Sequence, residues 1–246
     1  MYRKRHFPIV CALFCAVVSI VLGIGIGSVN ISPGEIFTAI GVRFFGAQLP
    51  ENMPITTVNI ITDIRIPRVV LAFLSGAALS ASGAAVQSVL RNPLASPYTL
   101  GVSSGASFGA GLVIAAGFTF LGQFTLAAAG LVFALLTMFA AVAFTSRIDK
   151  NFESSTIVLT GTAVAFSGVI GFVDMIAPQI VRRIFGAKHS VVIPMSAVVG
   201  GTFMVICDIA ARTVTAPSEL PVGTVTALVG APFFAYVFFK KRRNSQ

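Results

Sequence analysis

The sequence predicts an all-α, polytopic membrane protein that crosses the bilayer about eight times, and three observations support this fold class. Hydrophobic residues make up 56% of the 246 residues and charged residues only 10%, with a mean hydropathy of +0.92. The apolar residues are gathered into runs of span length, and the Lys and Arg residues lie mainly at the ends of those runs. A water-soluble domain of this size needs more charge to cover its surface. We therefore interpret residues 1–246 as one transmembrane domain built from helices.

The first element is an apolar run from Pro8 to Val29, which follows a basic segment at residues 3–5. A secretory signal has an apolar region of about 7 to 15 residues, followed by a small-residue cleavage site. About 20 apolar residues suffice to cross a bilayer. This run is too long for a signal, and it predicts an uncleaved first span.

Further apolar runs follow along the chain: Val69–Leu90, Leu100–Phe118, Gly122–Thr145, Ser155–Ile184, Val191–Ala211 and Pro221–Phe239. The run Ser155–Ile184 is ambiguous, since its 30 residues are too many for one crossing and too few for two regular ones. Two limbs of about 15 residues reach only about 22 Å each, against a hydrocarbon core of about 30 Å. We expect this segment to form a short, tilted or re-entrant hairpin.

The distribution of positive charge decides the topology. With a hairpin at Ser155–Ile184, the 17 Lys and Arg residues divide into 13 on the cytoplasmic side and 4 outside. With a single crossing there, the division becomes 7 inside and 10 outside. Cytoplasmic loops of membrane proteins carry an excess of Lys and Arg. The sequence therefore predicts eight crossings, with both termini cytoplasmic and Gly41–Asp63 extracytoplasmic.

Composition and residue spacing argue against several functional classes. The net charge of +9 is distributed over span ends, with no basic face and no aromatic ladder, so no nucleic-acid partner is predicted. The three cysteines lie within apolar runs, and the two histidines, His6 and His189, lie near span ends. These residues form no metal-ligand or catalytic spacing, and no Walker motif occurs. We expect a protein that contacts membrane lipid, is not an enzyme and uses no cofactor or metal of its own.

The segment from Ile64 to Gly111 carries the most specific motifs of the chain. It joins an arginine-flanked apolar span to one broken by Pro and Gly. This is typical of a transporter core, because irregular backbone at membrane depth must be buried in protein or line a cavity. The segment contains R-x-P-R, G-A-A-L-x-x-S-G-A-x-x-Q, R-N-P-L-A-x-P and L-G-V-S-S-G-A, in that order. This series resembles the permease subunits of ABC importers for iron-siderophores, haem and cobalamin.

A second block of the same resemblance runs from Ser167 to Arg183 and from Glu219 to Phe234. Between the two blocks, typical members of this ten-span family have a sixth and a seventh span and the cytoplasmic loop that docks the ATPase. This chain passes from Phe166 directly into the eighth-span motif. The resemblance therefore implies an internal deletion with its junction near 166–167.

The resemblance implies a permease subunit of an ABC importer in the cell inner membrane, which takes up an iron-siderophore or a related metal chelate such as haem or cobalamin. By the same resemblance, it acts by alternating access with ABC ATPase subunits, an extracytoplasmic substrate-binding protein and a second permease copy, as a homodimer or a heterodimer. The alternative is an internally deleted, transport-incompetent remnant of such a permease. A stand-alone channel or secondary carrier is disfavoured, because the spans show no charged relay apart from Asp174.

Three arginines at the predicted outer ends of spans, Arg65, Arg68 and Arg212, are candidate docking residues. In the family, arginines at these places pair with glutamates of the binding protein. Their position outside, against the usual charge bias, fits that role, and anchoring at the membrane interface by snorkelling is the alternative. Asp208 precedes Arg212 by four residues, a spacing that predicts a local ion pair on a helix.

Two further groups complete the candidate site. Asn92, Pro93 and Pro97 form a cytoplasmic turn that the prolines keep from being a continuous helix; it is a simple connector or, by the resemblance, a shaped turn near the ATPase. Six small residues and one proline are expected to pack helices closely or to line the translocation path: Gly101, Ser103, Ser104, Gly105, Gly223, Gly230 and Pro232. Asp174 stands where the family motif has a glycine, and no specific role is predicted for it.

Overall fold

The structure, a computed structural model, describes residues 3–27, 31–51, 53–93, 95–96, 101–117, 121–146, 171–215 and 218–243. All regular secondary structure in these ranges is helical. The α-helices are α1 (Arg3–Gly25), α2 (Pro33–Phe45), α3 (Ile55–Asn59), α4 (Ile66–Val89), α5 (Val102–Ala116), α6 (Thr125–Ser146), α7 (Val173–Phe185), α8 (His189–Thr213) and α9 (Val222–Arg243). A π-helical segment (Ile60–Arg65) joins α3 to α4, and a 3₁₀ turn (Gly122–Phe124) precedes α6.

Three continuous helical stretches in the described ranges are long and apolar enough to cross a membrane: Phe7–Gly25, Ile55–Val89 and His189–Thr213. Shorter apolar helices cover Val102–Ala116, Thr125–Ala140 and Val222–Phe233. These helices confirm the predicted all-α, polytopic fold. The count of eight crossings depends on the hairpin at Ser155–Ile184, whose first limb and junction near 166–167 lie outside the described residues, so that count stays a prediction.

The second span begins earlier than the sequence suggested. The apolar run starts at Val69, whereas the continuous helix starts at Ile55 and passes through the π turns at Ile60–Arg65. Charged residues within those turns lower the local hydropathy and conceal this part of the helix. The widened turns directly precede Pro67. Because proline has no backbone N–H, it cannot donate the ordinary helical hydrogen bond, and it is a common cause of local distortion in helices.

The central pair of helices is α4 and α8, and both α1 and α7 pack against it. The two central helices approach closely because small residues face each other where they cross. A Cβ atom built on Gly200 would lie 2.6 Å from the carbonyl oxygen of Gly76, and one on Gly201 would lie 2.7 Å from the ring of Phe73. Small residues serve this purpose in membranes, where close van der Waals packing holds helices together.

A second pair consists of α5 and α6, which pack mainly against each other. Gly109 on α5 touches the backbone of α6, since a Cβ atom there would lie 2.7 Å from the carbonyl oxygen of Ala129. The rings of Phe108 and Phe133 meet edge to face beside this contact, with centroids 5.6 Å apart. The short helix α7, about 20 Å long by its 13 residues, cannot cross a bilayer alone. It fits the short second limb expected for the hairpin.

Candidate functional site

Five charged residues gather where α4 begins and α8 ends, and they are called the charge cluster below: Arg65, Arg68, Asp208, Arg212 and Glu219. Arg65 closes the π-helical segment, and Arg68 lies in the first turn of α4. Asp208 and Arg212 lie near the end of α8, while Glu219 lies between α8 and α9. Because α4 and α8 pack together, the start of one and the end of the other bring these side chains to one end of the bundle.

Arg65 is a buried residue, with 5% of its surface exposed. Its Nη1 atom donates hydrogen bonds to the backbone carbonyls of Ile24, at 2.8 Å, and Gly25, at 2.9 Å. These carbonyls belong to the last turn of α1, where carbonyl groups have no partner within the helix and carry partial negative charge. Arg65 therefore caps the end of the first span from inside the protein.

Arg212 caps the same helix end and is also buried, with 7% of its surface exposed. Its Nη2 atom donates to the carbonyl of Gly23 at 2.9 Å. The same Nη2 atom lies 3.1 Å from Oδ2 of Asp208, so the ion pair that the four-residue spacing predicted is confirmed. Two guanidinium groups thus converge on three successive carbonyls at the end of α1.

Arg68 is the most exposed of the three arginines, with one third of its side chain (33%) accessible. Its Nε atom lies 3.0 Å from Oδ1 of the buried Asp208, and its Nη1 atom lies 2.8 Å from Oε2 of the exposed Glu219. Asp208 is therefore shared between two arginines, Arg68 and Arg212. The chain of alternating charges runs from the buried Arg212 through Asp208 and Arg68 to the exposed Glu219.

The structure thus brings the three predicted arginines together, but it buries two of their guanidinium groups. A docking role for Arg65, Arg68 and Arg212 stays a prediction. Sequence reasoning missed Glu219 as a partner of Arg68 and Asp208 as the centre of the cluster. An acidic residue inside an apolar span is a functional signal by default, and this rule applied to Asp208 could have found it.

The predicted cytoplasmic turn lies against α7. The carbonyl of Pro93 accepts a hydrogen bond from Nε2 of Gln179 at 3.1 Å, and the amide of Asn92 donates to the carbonyl of Gln87 at 3.2 Å. Asn92 is exposed, whereas Pro97 lies outside the described residues. The turn is therefore held by α7 as well as by the end of α4.

Asp174, in the first turn of α7, is 1% exposed and accepts a hydrogen bond from the hydroxyl of Ser96. Its backbone carbonyl accepts from Nε2 of Gln87 at 3.2 Å. The oxygen of the same Gln87 amide, Oε1, accepts a hydrogen bond from Arg182, which also donates to the carbonyl of Ala84 at 3.3 Å. These bonds fix α7 to the second half of α4, and their partners were not predicted from the sequence.

The members of the predicted small-residue set differ in how deeply they are buried. Gly101 has a left-handed φ of 74° directly before α5, and Gly105 is buried where a Cβ atom would lie 2.9 Å from the carbonyl oxygen of Phe133. Gly230 is buried against the side chain of Phe172. The other members are partly or largely accessible: Ser103 and Gly223 are half-buried, and Ser104 and Pro232 are exposed. Close packing is therefore visible at Gly105 and Gly230, and path lining stays a prediction.

Among the described residues, no group of three or more His, Cys, Asp or Glu side chains is arranged to hold a metal ion. Apolar helices of spanning length, packed through glycines and tied at their ends by buried charged and polar groups, are the features of an integral membrane protein. Residues 15–166 and 154–240 match the profile of the FecCD transport family, and the chain belongs to this family.

Relatives and a solved structure agree with this assignment. An uncharacterized ABC transporter permease protein of Bacillus subtilis, YvrB, is 32% identical, and the match covers 99% of this chain and 96% of YvrB. The Fe(3+)-citrate import system permease protein YfmE of the same organism is 28% identical over 98% of both chains. A solved metal-chelate type ABC transporter in an inward-facing conformation has the same fold, with a TM-score of 0.73, 23% identity and coverage of 97% of this chain and 100% of that one.

The chain is shorter than these relatives. Its alignment with YvrB extends over 341 positions, and this chain has 246 residues, so at least 95 positions (341 less 246) have no residue here. The family profile matches in two parts that share residues 154–166. Because the match to YvrB covers 99% of this chain and 96% of YvrB, the positions without a residue lie within the alignment and not only at its ends.

Proposed function

We propose that this chain is the transmembrane permease subunit of an ABC importer for an iron-siderophore or a related metal chelate, such as haem or cobalamin. The observation that carries the proposal is the family match, which extends in two parts from residue 15 to residue 240. The similarity to an Fe(3+)-citrate permease over nearly all of both chains supports the substrate class. The apolar helices supply the membrane-spanning fold that such a subunit needs.

The partners of the proposed importer follow from its class. A separate ATPase subunit hydrolyses ATP, since this sequence contains no Walker motif. An extracytoplasmic binding protein delivers the chelate, and a second permease copy completes the translocation path. The chain lies in the cell inner membrane with both termini cytoplasmic, an orientation supported by the division of Lys and Arg into 13 inside and 4 outside.

Docking of the binding protein rests, in this proposal, on the charge cluster. Arg68 is the contact residue, because its side chain is the one of the three arginines that is one third exposed. Arg65 and Arg212 support the docking surface from inside by holding the end of α1 against α4 and α8. A carboxylate of the partner would compete with Glu219, whose own contact with Arg68 is solvent-exposed.

A second candidate function is supported by the length of the chain. An internally deleted remnant of a permease, with a junction near 166–167, would give two family matches that share their boundary region, as residues 154–166 do. ATP-driven transport needs a contact that transmits the nucleotide state to the spans, since a conformational change requires differential contacts with the two states. A chain without its coupling loop would insert in the membrane but transmit this change poorly.

Co-purification tests whether the chain belongs to an ABC importer at all, either as its permease subunit or as a deleted remnant of one. The full chain, tagged and expressed with the ATPase, binding protein and second permease of its importer, is expected to retain the ATPase and the second permease in detergent. A pull-down that recovers neither subunit, from membranes that contain both, would contradict the proposed function. A complex that assembles but does not transport would identify the deleted remnant.

A further inference from the structure

The helix α2 (Pro33–Phe45) is a short element with defined ends that lies between the first two spans. Ser32 and Glu35 form a capping box, with the Ser32 amide donating to Oε2 of Glu35 at 2.7 Å and the Glu35 amide donating to Oγ of Ser32 at 3.3 Å. The hydrogen bonds from the backbone and the hydroxyl of Ser32 lower the pKa of Glu35. Gly46, with a φ of 65°, ends the helix.

One side of α2 packs on the protein, while another side presents aromatic rings to the outside. Ile36 and Ala39 are buried, and α2 contacts α1, α3 and the π-helical segment. Phe37, Phe44 and Phe45 are 70%, 68% and 82% exposed. Phe37 and Phe44 lie about two helical turns apart and therefore share one side of the helix, with Phe45 next to them. No side chain of this protein in the described ranges covers these three rings.

We propose that α2 lies in the plane of the membrane interface, with its phenylalanine face inserted among lipid headgroups and the first part of their acyl chains. This inference rests on the membrane-spanning fold and not on the transport function, so either can fail without the other. Short amphipathic helices with Phe or Leu on one face bind membranes in this way, inserted about 5 to 10 Å deep.

The connections of α2 place it at the bilayer surface. The first span ends at Gly25, shortly before α2 begins, and the second span begins at Ile55, shortly after α2 ends. Its 13 residues give a length of about 20 Å, which is too short to cross the membrane. Since α2 also contacts α1 and the π-helical segment, whose Arg65 caps the end of α1, it lies close to the level where the first span ends.

The surroundings of α2 fit lipid better than a protein partner. Two neighbouring elements also expose apolar side chains, Leu22 of α1 (47%) and Ile64 of the π-helical segment (60%). Both lie on helices that contact α2. Arg43 and Asp63 form a half-exposed ion pair at 3.6 Å beside this surface, as expected for charged groups at headgroup level. Phenylalanine has no polar tip, so its rings gain from an apolar environment and not from hydrogen bonds to a protein surface.

The sequence contains no tryptophan, which makes a single introduced tryptophan a unique fluorophore. The full chain carrying Phe44→Trp is reconstituted into phosphatidylcholine vesicles whose acyl chains carry bromine either close to the headgroup or close to the bilayer centre. We expect blue-shifted emission that is quenched strongly by the shallow bromine and less by the deep one. Phe37→Trp is expected to behave alike, and it provides the same test should Phe44→Trp not fold.

The control is Arg43→Trp on the same helix, at an exposed position that points about 120° away from Phe37, about 100° away from Phe44 and about 160° away from Phe45. Its emission is expected to be red-shifted and quenched much less by either bromine. Red-shifted, unquenched emission from Phe44→Trp and Phe37→Trp would overturn the proposal and place α2 in water. Blue-shifted emission that no bromine quenches would also overturn it, because a second copy or another protein would then cover the rings.

Discussion

Replacing Asp208 by asparagine is expected to destabilise the protein, because this carboxylate is the shared anion of the charge cluster. Asp208 is 2% exposed and lies 3.0 Å from Nε of Arg68 and 3.1 Å from Nη2 of Arg212. Asparagine keeps the shape of the side chain but removes its negative charge. Arg68 retains Glu219 as a partner, whereas the buried Arg212 would lose the carboxylate with which it pairs.

The expected loss is about 3 kcal/mol in the free energy of unfolding. Removing one partner of a buried ion pair costs about 3 to 5 kcal/mol, because the other charge loses its compensation. Two features keep the value at the lower end. Arg212 retains its hydrogen bond to the carbonyl of Gly23, and hydrogen bonds between spans in a membrane average only about 0.6 kcal/mol.

The assay is unfolding by a denaturing detergent in mixed micelles, with the helical signal as the readout. The matched control is Asp63→Asn, which removes an acid from the half-exposed pair with Arg43 and is expected to cost less than about 1 kcal/mol. Adding Arg212→Met to Asp208→Asn is expected to restore part of the loss, because the uncompensated charge disappears. Equal losses for Asp208→Asn and Asp63→Asn would refute the reasoning.

Three further predictions concern packing, docking and coupling. Gly200→Val is expected to force α4 and α8 apart, so that the protein no longer elutes as a single folded peak in size-exclusion chromatography. The control is Gly111→Val, which should elute like the parent protein because a Cβ atom there meets nothing within 4 Å. Identical profiles for the two variants would contradict the packing account. Arg68→Gln is expected to weaken docking of the binding protein, measured by surface plasmon resonance, and to reduce the salt dependence of that docking. Arg43→Gln is the control and should leave docking unaffected. Unchanged docking with Arg68→Gln would show that Arg68 is not part of the interface. A homodimer of this chain with its ATPase is expected to show little substrate-stimulated ATP hydrolysis in reconstituted membranes, and robust stimulation would show that the missing positions are not needed for coupling.

Much of the fold was predictable because the apolar runs are long. Hydropathy identified the first span and the run Val191–Ala211 almost as the structure has them, since few charges interrupt these segments. The same method missed the first part of the second span. There, Asp63 and Arg65 lie within a helix that is continuous through its π turns, and a hydropathy average cannot separate such charges from a loop.

The candidate site was predictable in its members but not in its geometry. The four-residue spacing identified the Asp208–Arg212 pair, because that pair is local to one helix. The bonds from Arg65 and Arg212 to the end of α1 join residues far apart in sequence, and only the packing of three helices creates them. The same holds for the contact of Ser96 with Asp174, which requires the turn after α4 to meet the first turn of α7.

Uptake of a radiolabelled ferric siderophore tests the central claim most directly. Cells that lack their own permeases for the chelate would express this chain together with the ATPase, binding protein and second permease of its importer. The proposed function predicts ATP-dependent accumulation of the label that disappears when this chain is omitted and falls with Arg68→Gln. Accumulation that is the same without the chain, or absent from a complex that has assembled, would contradict it.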